Sequence, residues 1–124
     1  MNKAEAALKF KHEGHNCCQA VLCAFAEELG WSVEMLDKLG IAFGGGMGCM
    51  EGTCGALCGA EMVLGLLKYD GTPIRKDAAA LHKTFTEKCG ASICRQLKGA
   101  GTGKVLCECD DCVQNAAEIV EKMI

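Results

Sequence analysis

The residues of this chain that could do chemistry are its sulfurs, because 11 of its 124 residues are cysteine. Four of them follow a good helix N-cap by one or two positions, in Asn16–Cys17, Thr53–Cys54, Ser92–Ile93–Cys94 and Asp111–Cys112. Each is expected in the first turn of a helix, where unpaired N–H groups and the positive end of the macrodipole favour thiolate over thiol. Thiolates are what metals and redox reactions require. Four helix starts from four separate segments, meeting at one end of a bundle, would hold a metal or a cluster. The competing reading is that each cysteine is a small buried hydrophobe suited to close helix packing.

Other thiols stand near these four. Cys107, Cys109 and Cys112 form C-x-C-x-x-C, and C-x-x-C spacing is shared by zinc sites, iron–sulfur sites and dithiol redox pairs. Cys54 and Cys58 would lie on one helix face and could chelate one metal, with Cys49 upstream in a loop. Cys58, Cys107 and Cys109 therefore rank second as ligands. Cys17 and Cys18 point to different sides, and Cys23 resembles a core residue. His12 and His15 flank Gly14 just before Cys17, where either could complete a metal site although a solvated helix end is their expected place, and His82 falls in a polar helix. Glu51 beside Thr53 reads as part of a cap, and Met35, Met47, Met50 and Met62 as core filler.

Several familiar chemistries are excluded. A second zinc knuckle, a histidine at zinc-finger spacing, C-x-x-C-H and the bacterial ferredoxin run are all absent. No Lys-Ser or Lys-Thr follows Gly52, so the glycines at 44–48 are not a P-loop, and no strand precedes them to make a dinucleotide site.

The elements that must position the sulfurs are helical. Residues 3–13 form a first helix ended by Gly14, and residues 17–29 a second, with Ala20, Val21, Ala24, Phe25 and Leu29 at helical spacing and Gly30 as its stop. Ser32 caps a third over Val33–Leu39, ended by Gly40. Residues 41–52 hold five glycines and read as a tight loop. Thr53 precedes an apolar helix over 54–69, expected to be the buried central one. Pro73–Lys88 is the next, with Ala78, Leu81 and Phe85 on one face. A brief turn follows at ICRQL, then a second glycine loop. Asp110 or Asp111 caps a last helix carrying Val113, Ala116, Ala117, Val120 and Met123. Almost nothing reads as strand, so residues 1–124 are expected to form an all-α, single-domain bundle of five to six helices with glycine-rich loops.

Composition narrows the setting. Net charge is −3 with scattered Lys and Arg, which excludes the basic stripe that nucleic acid or a membrane surface requires. The polar start MNKAEAALKFKHEGHN and the lack of a long apolar run predict a cytoplasmic protein with no membrane span. Cytoplasmic thiols stay reduced, and an odd thiol count fits disulfide pairing poorly, which leaves metal binding or redox chemistry.

Four blocks give the chain a resemblance to the redox-active protein family written C_GCAxxG_C_C. They are GHNCCQAVL at 14–22, the glycine loop running into GTCGALCG at 52–59, KCGASICRQL at 88–97 and CDDCVQNAAEIVEKM at 109–123. The block Cys54-Gly55-Ala56-x-x-Gly59 is the most specific. The resemblance implies that the family's four characteristic cysteines are Cys17, Cys54, Cys94 and Cys112. It also implies a small redox or metal-binding protein, with an iron–sulfur cluster as in a portion of the split-Soret cytochromes that looks related.

The expected function is electron transfer or metal binding through Cys17, Cys54, Cys94 and Cys112, with an iron–sulfur cluster or zinc as cofactor and an unidentified redox protein as partner. The alternatives are a thiol–disulfide oxidoreductase using Cys109 with Cys112 or Cys54 with Cys94, and a structural zinc protein. Glycine-rich helix faces also permit a homo-oligomer.

Overall fold

Local side-chain caps set three of the helix starts in the computed structural model, which describes residues 1–124. Asn2 opens α1 (Lys3–His12) by accepting from the Glu5 amide at 2.8 Å. Asn16 opens α2 (Cys17–Ala24) through a reciprocal cap: its side chain accepts from the Gln19 amide and its own amide donates to Gln19 Oε1, both at 2.8 Å. The expected continuous helix over 17–29 breaks at Phe25 (φ −106°, ψ 16°), whose ring enters the core while α3 (Ala26–Leu29) turns Glu27 and Glu28 to solvent. Gly30 then ends α3 in the left-handed region at φ 69°. Ser32 caps α4 (Val33–Gly40), accepting from the Met35 amide at 3.2 Å.

The remaining helices are α5 (Gly55–Lys68), α6 (Arg75–Cys89), α7 (Cys94–Lys98) and α8 (Cys109–Glu121). Pro73 lies before α6 rather than in it, since Ile74 is the flanking residue. The architecture is all-α, with a single isolated antiparallel bridge between Thr53 and Ile93. Eight helices replace the expected five to six, because Phe25 splits one and ICRQL folds into α7.

Helices α2, α5 and α8 pack on one another, α1 covers α2 and α8, α6 covers α5 and α8, and α4 lies on α2. Every residue of α2 is buried, so α2, and not the expected helix at 54–69, is the central one. Apart from Gln19 it is apolar all round because it is surrounded. Leu22, Phe25, Leu57, Leu64, Leu81, Phe85, Val113 and Val120 fill the interior. Met35 and Met47 are exposed and are not core filler. No helix is long and apolar enough to cross a membrane.

Two glycines four residues apart on α5 let its backbone touch α2. A Cβ at Gly59 would lie 2.8 Å from the Cys18 carbonyl oxygen and 3.2 Å from Val21 Cβ. A Cβ at Gly55 would overlap the Cys17 sulfur and stand 2.7 Å from the Phe43 carbonyl oxygen. The CGAxxG spacing is thus one face of a helix cleared for a neighbour.

Two substitutions separate this packing role from helix propensity. Gly65, with nothing within 4 Å of its Cβ position, should gain about 0.5–1 kcal/mol as Gly65→Ala. Gly59→Ala earns the same propensity but must push backbone from backbone, at about 1–3 kcal/mol, and should melt lower than the parent. Urea titration of both variants measures the difference, and equal stabilisation would refute the close approach.

Candidate functional site

The glycine loop at 41–52 is wrapped rather than open. Phe43 ends a tight turn (Ile41–Phe43), and a wider turn (Gly46–Met50) follows with Gly45, Gly46 and Gly48 at positive φ. Met47 and Met50 also sit there, at φ 62° and 65°, a conformation unusual for residues with a Cβ. The loop is held against the start of α7: the Gly52 amide donates to the Gly46 carbonyl at 3.1 Å and the Cys94 amide to the Gly52 carbonyl at 3.0 Å. The Cys54 amide donates to the Ser92 carbonyl at 2.8 Å. This short backbone ladder places Cys54 and Cys94, forty residues apart in sequence, side by side. A side chain at Gly46 would overlap Cys94.

The caps differ from those expected at three of the four cysteines. Cys54 itself is the residue flanking α5, so Thr53 is not its cap. Ile93 flanks α7 in place of Ser92, and Glu108 flanks α8 in place of Asp110 or Asp111. Starting α8 earlier puts Cys109 in its first position and moves Cys112 to the fourth, where its amide already bonds to the Glu108 carbonyl at 2.9 Å. Only Asn16–Cys17 has the expected arrangement.

The thiols therefore ionise in a different order from that expected of helix starts. Cys109 is lowered to about 5, first by the Cys17 thiol donating to it and then by the Lys98 ammonium, while Cys17 is raised by holding that proton and by burial. Cys54 is lowered to about 7 by the Cys112 thiol and by the Ala56 and Leu57 amides at the start of α5. Cys112, placed between Cys54 and Cys89, keeps its proton and is raised, and burial raises Cys94. Cys89 is lowered to about 6, first by Cys112 and then by Asn115 among others. Of the four family positions, only Cys54 shows the depression expected of all four.

Sulfur atoms from α2, α5, α6, α7 and α8 thus share one neighbourhood. Cys54 interacts electrostatically with Cys17 and Cys94 and is in contact with Cys112, and Lys98 acts on Cys54, Cys94, Cys109 and Cys112. Lys98 Nζ is sealed from solvent with no hydrogen bond of regular geometry. Burial pulls its pKa down, but the sulfurs of Cys109, Cys112 and Cys54 outweigh that and hold the ammonium above its ordinary value. A buried cation without an oxygen partner, facing thiolates, fits an anionic centre built on those sulfurs.

Two kinds of spacing occur in this basin. Cys89, Cys107 and Cys112 have sulfurs within 4.8 Å of one another. Sulfurs on one tetrahedral zinc stand about 3.8 Å apart, so this trio approaches single-ion geometry. No three of Cys17, Cys54, Cys94 and Cys112 come that close. Cys89, one of the cysteines beyond the four characteristic ones, enters because α6 ends beside α8, and Asn115 Nδ2 donates to its sulfur at 3.4 Å. Among the second-rank ligands, Cys58 is raised to about 11 by burial and by Cys54, and Cys107 to about 11 chiefly by burial.

Other singled-out residues are placed elsewhere. Cys18 is raised to about 12 by burial, beside Cys58. Cys49 is exposed, with its thiol 3.6 Å from the Gly46 carbonyl oxygen. Glu51 faces Arg95 at 3.8 Å rather than capping α5. His12 Nε2 pairs with Asp110 at 2.8 Å, His15 turns to Asp37, and His82 is exposed on α6.

A family model described as "Putative redox-active protein (C_GCAxxG_C_C)" matches residues 15–123. No curated protein and no solved structure matches this chain.

The ammonium makes a measurable difference to metal-free protein. Cys109 should alkylate with a half-maximal rate near pH 5, as its lowered value of about 5 requires. Removing a cation disfavours thiolate, so Lys98→Met should move that midpoint upward by about one unit or more. Mass spectrometry of iodoacetamide-labelled peptides across pH follows both, and an unmoved midpoint would exclude Lys98 from the account.

Proposed function

We propose, for a chain that belongs to the C_GCAxxG_C_C family of redox-active proteins, that the sulfur basin holds an iron–sulfur cluster or a related thiolate-bound metal centre for electron transfer. Cys17, Cys54, Cys94 and Cys112 are its ligands, with Cys109 able to replace Cys112 at the head of α8. The observation that supports this most is the sealed Lys98 ammonium facing sulfurs from three helices. Packing alone gives no reason to bury a lysine head among thiols, whereas an anionic centre does.

When bound, such a centre supplies a one-electron couple. The chain's own residues do the rest. Cys54 is lowered toward the thiolate first by the Cys112 thiol and then by the Ala56 and Leu57 amides, and the Gly45 amide favours the charged form of Cys17. The glycine loop brings backbone against Cys94 where a side chain would collide, keeping the site close-walled. Lys98 offsets negative charge and so favours the reduced state. The four family sulfurs, spread wider than the Cys89 trio, suit a multinuclear centre better than one ion.

The second reading is thiol–disulfide chemistry. Its support is that Cys17 with Cys109, and Cys54 with Cys112, each pair a proton-holding thiol with a lowered one. Oxidation of such a thiol–thiolate pair would form one S–S bond, passing two electrons to a disulfide acceptor and releasing one proton.

Protein purified without oxygen should be brown and contain iron and acid-labile sulfide. Cys54→Ser should lose most of both, while Lys98→Met should keep them and shift the midpoint potential negative. Colourless, iron-free protein that instead yields a defined reversible Cys17–Cys109 or Cys54–Cys112 disulfide would overturn the first reading in favour of the second.

A further inference from the structure

A second constellation lies on the other side of α2. His15, in the connection between α1 and α2, Cys23 near the end of α2, and Asp37 on α4 have ligand atoms within 4.8 Å of one another. His15 Nδ1 stands 2.8 Å from Asp37 Oδ1, and Cys23 Sγ 3.6 Å from the same oxygen. Cys23 is six residues beyond Cys17, about 9 Å along the helix, and turned away from it. We infer that these three side chains form a separate site for a single divalent transition cation of the zinc class.

The donor set argues for that class. Imidazole, thiolate and carboxylate together suit a borderline ion, whereas magnesium and calcium take oxygen ligands. With metal–ligand bonds of about 2.0–2.3 Å, tetrahedral donors stand about 3.3–3.8 Å apart. The Cys23–Asp37 separation already falls there, and His15 need open from Asp37 by only about half an ångström.

The surroundings hold the donors in place. Gln19, which is buried, donates from Nε2 to the Asp37 carbonyl at 3.0 Å while its Oε1 accepts from the Asn16 amide, tying the residue after His15 to α4. Phe10 packs edge-on against the His15 ring at 5.2 Å. Outer contacts of this kind orient metal ligands.

Electrostatics explain what the ion would relieve. Burial and then the neighbouring Asp37 carboxylate push the Cys23 thiol up to about 12. A dication would take the thiol's proton's place and satisfy both anions, with a His15 ring nitrogen as third ligand. His15 and Asp37 stay partly open, with side chains 20% and 31% exposed, so solvent can reach a fourth position.

The test is titration of the full chain with Co²⁺, read by thiolate charge-transfer and visible d–d absorption, for the parent, Asp37→Asn, Cys23→Ala, His15→Gln and Cys54→Ser. Circular dichroism establishes which variants fold. A tetrahedral Co²⁺ with a single thiolate ligand should survive in Cys54→Ser, and its binding should weaken at least tenfold in every folded variant of His15, Cys23 or Asp37. Binding unchanged in those variants, or lost only in Cys54→Ser, would overturn the site and leave the sulfur-basin reading untouched.

Discussion

The contact on which the arrangement depends is the backbone approach of α5 to α2. Gly59 lies against the Cys18 carbonyl and Gly55 against the Cys17 sulfur and the Phe43 carbonyl. A methyl group at either point would separate the helices and, with them, the pole where Cys17 and Cys54 meet. Because α8 packs on both helices, the positions of Cys109 and Cys112 follow from the same contact. A packed interior does not deform continuously, so sulfur geometry and core geometry are one problem.

Gathering thiols has an electrostatic cost. If all ionised, each would raise its neighbours, and burial would raise them further. The protein limits this by letting a proton-holding sulfur stand beside a lowered one, as Cys17 beside Cys109 and Cys112 beside Cys54, and by placing Lys98 among them. Protons and one ammonium hold together what thiolates alone would drive apart. A metal centre would take over that work with more charge.

The two sides of α2 differ in chemistry for a simple reason. The Cys17 end faces α5 and α8, which contribute sulfur, whereas Cys23 faces α4, which contributes a carboxylate. Complete burial of α2 gives both sides a dry wall, and the partial openness of Asp37 and His15 gives the second side access to solvent.

Residue order alone determined that the chain is helical, because caps such as Asn16 and Ser32 and stops such as Gly30 act within a turn of where they stand. It also marked the CGAxxG face, since that depends on spacing along one helix, but it singled out Cys17, Cys54, Cys94 and Cys112 by caps of which only Asn16 forms as expected. It could not show that α8 begins at Cys109, because choosing among Glu108, Asp110 and Asp111 as the first flanking residue depends on how α8 docks. Nor could it show Phe25 breaking a periodic helix, which is decided by where its ring finds room. Tertiary structure alone brought in Cys89, Lys98 and the union of His15, Cys23 and Asp37. Their proximity follows from the packing of helices distant in sequence, and a thiol's ionisation follows from which charges that packing sets beside it.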